Sequence, residues 1–203
     1  MRYLNKIVFI NSAAIRYSEV QLDGNIHLIG TQGVGKSTIL RAILFFYNAD
    51  TQRLGIPVEK KSYQDYYFPY ADSSIIYEVA REDGWFTVLS YKTMNRICYR
   101  FIASPYGRIF FIDEEGAPYP SDRIRSVLDK NGIKYSGAIS TYEEYRNILY
   151  GNSDNKRDYS CYSLMESGSY QNIIRTIQNV LLNSRLEADY IKQTIIHLLE
   201  RGG

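Results

Sequence analysis

IHLIGTQGVGKSTILRAILFFY, residues 26–47, decides how this chain is read. Its apolar start, Ile26-His27-Leu28-Ile29, predicts a strand. Its end, Thr38 to Tyr47, carries apolar residues at i, i+3 and i+4 ahead of Asn48-Ala49-Asp50, and predicts a helix with a stop. Between them, Gly30-x-x-x-x-Gly35-Lys36-Ser37 matches the P-loop pattern, in the strand–loop–helix setting its mechanism needs. Gly30, Gly33 and Gly35 permit backbone angles that a β-carbon opposes. The N–H groups of Thr31, Gln32 and Val34 and their neighbours can then turn inward around phosphates. A helix starting near Lys36 adds its positive dipole end. Lys36 is expected to reach the β- and γ-phosphates, Ser37 to ligate Mg²⁺, and Thr38 to contact the α-phosphate side through its hydroxyl. A ligand-free glycine turn would leave the lysine–serine pair unexplained.

Upstream, residues 3–10 and 19–29 are rich in Ile, Val, Leu and Phe and read as strands, with a turn at Asp23-Gly24-Asn25. Downstream the period changes to two. Ile75–Val79, Trp85–Tyr91, Arg96–Phe101 and Arg108–Ile112 predict an antiparallel meander, turning at Asp83-Gly84, Thr93-Met94-Asn95 and Pro105-Tyr106-Gly107. Helices are expected at Ser121–Asn131, with Ser121 as N-cap and Gly132 as stop, and at Thr141–Tyr150, with a Thr141/Glu144 capping box and Gly151 as stop. After a polar connector at 152–158, Tyr159–Met165 reads as one more strand and everything beyond Ser169 as helix. There Leu186, Tyr190, Ile191, Thr194, Ile195, Leu198 and Leu199 form a stripe still running at the last residue, which suggests a cut edge.

The 203 residues, 45% of them hydrophobic, suit one soluble domain or one domain with a large insertion, with no apolar run near the roughly 20 residues that cross a bilayer. The first ten residues lack a signal-peptide pattern, so a cytoplasmic location is expected. Cys98 and Cys161 lack metal-knuckle or redox spacing and read as reduced core or half-buried residues. A net charge of +2 announces no polybasic patch; Arg96, Arg100, Lys130 and Lys134 are cations available for local DNA contact or ordinary solvated side chains. The unusual count is 20 tyrosines, several of them in Ser62-Tyr63-Gln64-Asp65-Tyr66-Tyr67-Phe68-Pro69-Tyr70. That cluster suits an amphipathic cover over the core, or a base-stacking platform.

Hydrolysis also needs an acidic group behind the metal and a residue that positions water. Ile109-Phe110-Phe111-Ile112-Asp113-Glu114 has the form of a Walker B strand, in which Asp113 would hold Mg²⁺ and Glu114 act as general base. The other reading is a hairpin tip, since the neighbouring strands alternate as antiparallel ones do.

The feature order, a strand pair, P-loop, helix, antiparallel meander, late strand and long helix, resembles the N-terminal half of an ABC-type ATPase head of the SMC (structural maintenance of chromosomes) superfamily. The likeness is nearest to condensin-like proteins of the MukB and Wadjet kind. It covers the whole chain in organisation but is specific only over residues 26–47. The fold class it implies is mixed α/β (α+β). By that resemblance residues 1–171 would form the N-terminal lobe of the head, with the P-loop at 30–38 and the meander at 75–113, and residues 172–203 would be a helix at the root of a truncated coiled coil. The resemblance implies ATP and Mg²⁺ as ligands, bound between two heads of a homodimer and completed by a C-terminal half carrying the signature and Walker B motifs. ATPase activity would need that completion. DNA and a kleisin-like subunit are the further implied partners, with no membrane, for chromosome organisation, repair or anti-plasmid defence, in association with the nucleoid if the source is bacterial. Arg41 matches the position of an arginine that can face the composite site, and also reads as a solvated helix residue. The glutamine that such heads place after the late strand is absent or displaced, leaving Glu166 or Gln171 as substitutes. The alternative is a self-contained P-loop NTPase or kinase using Asp113 and Glu114.

Overall fold

In the computed structural model the described residues are 3–22, 35–48, 62–94, 96–151 and 159–164. Their frame is a five-stranded antiparallel sheet, a mixed α/β architecture with few helices. The strands are β1 (Tyr3–Ser12), β2 (Ile15–Gln21), β3 (Ser74–Arg81), β4 (Gly84–Thr93) and β5 (Arg96–Ile102), in spatial order β2-β1-β3-β4-β5. The helices are α1 (Lys36–Asn48), α2 (Tyr63–Tyr67), α3 (Ser121–Lys130) and α4 (Tyr142–Leu149).

Alternation along each strand supplies both faces of the sheet with apolar side chains. Ile7, Phe9, Ile75, Tyr77, Val79, Phe86, Val88, Tyr99 and Phe101 face a core shared with α1, α2 and α4. Val8, Ile10, Ile76, Leu89, Cys98 and Ile102 face a second core closed by Phe111, Ile112 and the Ile124–Leu128 side of α3. β3 is therefore buried almost throughout, whereas edge strand β2 alternates half-buried and exposed residues. A bulge between Leu4 and Lys6 lets buried Asn5 donate to Glu78 Oε1 (2.7 Å). The other Glu78 oxygen accepts from Tyr106 N (2.7 Å), so the buried carboxylate is satisfied on both sides.

The meander stops one strand earlier than the sequence pattern predicts. Residues 108–110 form a 3-10 turn, and Ile112 makes only an isolated bridge to Pro118. The reason is competition for the edge of β5. Tyr99 exchanges both backbone bonds with Ile139 (2.8 Å each), Ser136 N donates to Phe101 O (2.8 Å) and Ala103 N donates to Lys134 O (2.8 Å). Segment 134–139 therefore occupies the edge that a fourth meander strand would need.

Smaller corrections follow the same logic. Pro120, not Ser121, is the N-cap of α3 and offers no side-chain cap, while Gly132 at φ +66° ends that helix as expected. Thr141 caps α4 through Glu144 N (3.2 Å), and Gly151 follows at φ +72°. The strand expected over Tyr159–Met165 is, in its described part, a 3-10 turn at Ser160–Tyr162. Tyr159 and Tyr162 join the α1-side core there, and Cys161 stands exposed while Cys98 is buried, both as thiols. The tyrosine cluster is a core cover: Tyr63, Tyr67 and Phe68 are buried, with Tyr63 stacked on Phe45. The strand expected at 26–29 and the helix expected beyond Ser169 lie outside the described residues.

Candidate functional site

The site expected from the glycine motif centres on the first turn of α1. Gly35 has φ +83°, in the left-handed region, and its carbonyl accepts the first helical bond from Ile39 N (3.1 Å). A β-carbon there would meet nothing within 4 Å, so the backbone angle, not space, requires glycine. Lys36 then opens the helix and Ser37 is exposed in its first turn. Helix-initial N–H groups have no intrahelical acceptor, and this turn carries no acidic side chain to take them. Gly30, Thr31, Gln32, Gly33 and Val34 lie outside the described residues.

Burial fixes the orientation of α1. Thr38, Ala42, Phe45 and Phe46 form its inner stripe against the sheet, spaced by four and seven residues. Each buried phenylalanine contributes roughly 2–3 kcal/mol relative to exposure. Ile39, Leu40, Arg41, Ile43 and Leu44 stay half-buried on the other sides.

A set of tyrosine hydroxyls then grips the helix carbonyls. Tyr67 donates to Thr38 O (2.7 Å), Tyr77 to Ala42 O (3.1 Å), Tyr145 to Phe46 O (2.7 Å) and Tyr150 to Tyr47 O (2.5 Å). The last two serve carbonyls in the final turn, where intrahelical donors run out. Burial pushes the phenols of Tyr67, Tyr77 and Tyr145 well above their usual value of 10, so they stay protonated and keep donating at any physiological pH. At the other end, Thr38 Oγ1 lies 2.9 Å from Tyr66 Oη. Tyr66 and Tyr67 were legible only as part of an aromatic cluster. Their cue is Ser62, which caps the five-residue α2 by accepting from Asp65 N (3.2 Å).

The acidic pair sits elsewhere. Asp113 Oδ1 accepts from Ala117 N (2.7 Å), and Gly116 N donates to Asp113 O (3.1 Å) with Gly116 at φ +87°, so Asp113 closes a tight turn and Glu114 is exposed on it. The pair follows directly on Phe111 and Ile112, which pack in the core on the sheet face opposite α1. The hairpin-tip reading describes this geometry, and the strand that a Walker B pair would terminate does not form. Glu166 and Gln171 lie outside the described residues. Of the other cations considered, Arg96 is exposed, whereas Arg100 is only 5% exposed, its guanidinium 5.2 Å from the Tyr135 ring. Among the described residues no cluster of three metal-ligating side chains occurs, and no helix is long and apolar enough to cross a membrane.

No curated protein and no solved structure matches the chain. Residues 11–203 match the family described as protein of unknown function (DUF3584), and the chain belongs to that family.

Proposed function

We propose that this chain is the ATP-binding N-terminal half of an SMC-like head, whose ATP-driven head engagement powers DNA entrapment or translocation. The observation that carries the reading is the junction at Gly35–Ser37. The motif's last glycine adopts a left-handed angle, the helix opens at Lys36, and Ser37 is exposed in the first turn. These are the features by which a P-loop directs N–H groups, a cation and a hydroxyl at a triphosphate. Ser37 is the side chain that would hold Mg²⁺, which would supply positive charge against that of the phosphates. The C-terminal half of the head would supply the signature and Walker B motifs. A second head would complete the site. DNA would be held mainly through phosphates, hence in a salt-sensitive and sequence-blind way.

The test is equilibrium binding of a fluorescent ATP analogue with Mg²⁺ to the full chain and to Lys36→Ala. Loss of a charge-assisted contact predicts affinity lower by about 10- to 100-fold in the variant. No binding by the wild type, or equal binding by Lys36→Ala, refutes the proposal.

A further inference from the structure

We infer that Tyr66 is a positioning residue for the phosphate site. Its phenol donates to Thr38 Oγ1 and so leaves the threonine proton for a bound triphosphate. The inference rests on the proposed P-loop reading and adds a residue outside that motif.

Three observations lead to it. Thr38 is 7% exposed, and its hydroxyl has Tyr66 Oη at 2.9 Å. A threonine in a helix otherwise divides between rotamers, some of which donate back to a carbonyl three or four residues earlier. Tyr66 is itself fixed. Its ring lies edge-on to Tyr67 at 4.9 Å, and α2 is anchored where Ser12 Oγ of β1 donates to Tyr67 O (2.8 Å) and Lys92 of β4 meets Asp65 (3.3 Å). A hydroxyl carries one proton and can also accept. With the phenol as donor, Thr38 Oγ1 accepts from Tyr66 and its own proton is left for a further acceptor. A phosphate oxygen at the start of α1 is the acceptor that completes the chain Tyr66–Thr38–phosphate, with no proton changing owner.

The test measures MgATP affinity of the full chain for Tyr66→Phe, Thr38→Val and the double variant, with thermal midpoints for each. Losing one orienting hydrogen bond predicts about five-fold weaker binding for Tyr66→Phe. The same substitution added to Thr38→Val changes affinity less than about two-fold, because the two residues act as a unit. Thr38→Ser, which keeps the hydroxyl, remains sensitive to Tyr66→Phe. As a control for general loosening of α1, Tyr145→Phe at its far end lowers the midpoint and leaves affinity unchanged. Unchanged or tighter binding by Tyr66→Phe overturns the inference, and so does a five-fold loss that persists in the Thr38→Val background. If Lys36→Ala abolishes binding while Tyr66→Phe does not alter it, only this inference falls. If the wild type does not bind ATP, both readings fall.

Discussion

Two neighbouring tyrosines, each reduced by one oxygen atom, should move stability in opposite directions. Tyr145 and Tyr99 are both buried, with ring centroids 4.3 Å apart. Tyr145 Oη donates to Phe46 O at 2.7 Å, whereas Tyr99 Oη has no hydrogen-bond partner among the described residues. Tyr145→Phe keeps the ring packing and removes the donor from a carbonyl in the last turn of α1. The net bond is worth about 1 kcal/mol and the stranded carbonyl adds a desolvation cost, so the expected loss is roughly 1–2 kcal/mol. In a chain of this length that corresponds to a midpoint lower by about 2–8 °C. Tyr99→Phe instead removes a polar atom that is already desolvated without compensation, and should gain about 1 kcal/mol. Urea unfolding followed by far-UV circular dichroism gives both values, provided the slope m is common to all variants. Tyr70→Phe, at a side chain 61% exposed, sets the baseline and should stay within about 0.5 kcal/mol of wild type. Equal losses for Tyr145→Phe and Tyr99→Phe would refute the claim that the hydroxyl bonds, not the rings, distinguish these positions.

Two further predictions concern charge. Among the described residues, buried Arg100 has Nε and Nη1 unpartnered and only a long 3.5 Å contact from Nη2 to Tyr91 Oη, so Arg100→Met should raise the urea midpoint, by about 1–3 kcal/mol of stability. A lower midpoint would mean that the Tyr135 cation–π contact outweighs the cost of burying the guanidinium. Around Glu19, burial works against ionisation, but hydrogen bonds from Tyr17 and Lys6 outweigh it and hold the carboxyl below its usual 4.5. A depressed folded-state value stabilises the fold above the unfolded value, and that contribution is lost as pH falls through the folded one. The stability difference between wild type and Glu19→Gln should therefore be full near pH 7 and shrink below about pH 4.5, which thermal melts across that range would measure. A difference independent of pH would rule out the linkage.

What the sequence made legible was local. The period of two over 75–101 depends on which side of a strand each residue occupies, and β3, β4 and β5 follow it closely. α1 follows directly behind the glycine motif because its apolar spacing and the permissive angle at Gly35 are properties of a few consecutive residues. Arg108–Ile112 has the same apolar character, yet no alternation rule can say that residues 134–139 will take the edge of β5 first. That outcome is a competition between two segments for one set of N–H and C=O groups, and the winner is chosen by the path of the chain through α3. It also displaces the acidic pair from the end of a strand to a turn capped by Asp113 itself.

The 20 tyrosines show the same limit from the other direction. Their number is plain in the composition, but their use is tertiary: phenols from α2, β3, α4 and Tyr150 converge on the backbone of a single helix. A phenylalanine would fill each of these places equally well. The hydroxyl matters because these rings pack against a helix whose carbonyls face the core, and a polar tip on an apolar body can bury itself there without leaving a donor unmet. If α1 is the helix that carries a triphosphate, this grip has a consequence for function. Charge arriving at its first turn would act on a helix held at Thr38, Ala42, Phe46 and Tyr47. Three of those bonds, from Tyr67 in α2, Tyr77 in β3 and Tyr145 in α4, come from phenols that stay protonated across the physiological range, so α1 would keep its apolar seat whatever the pH.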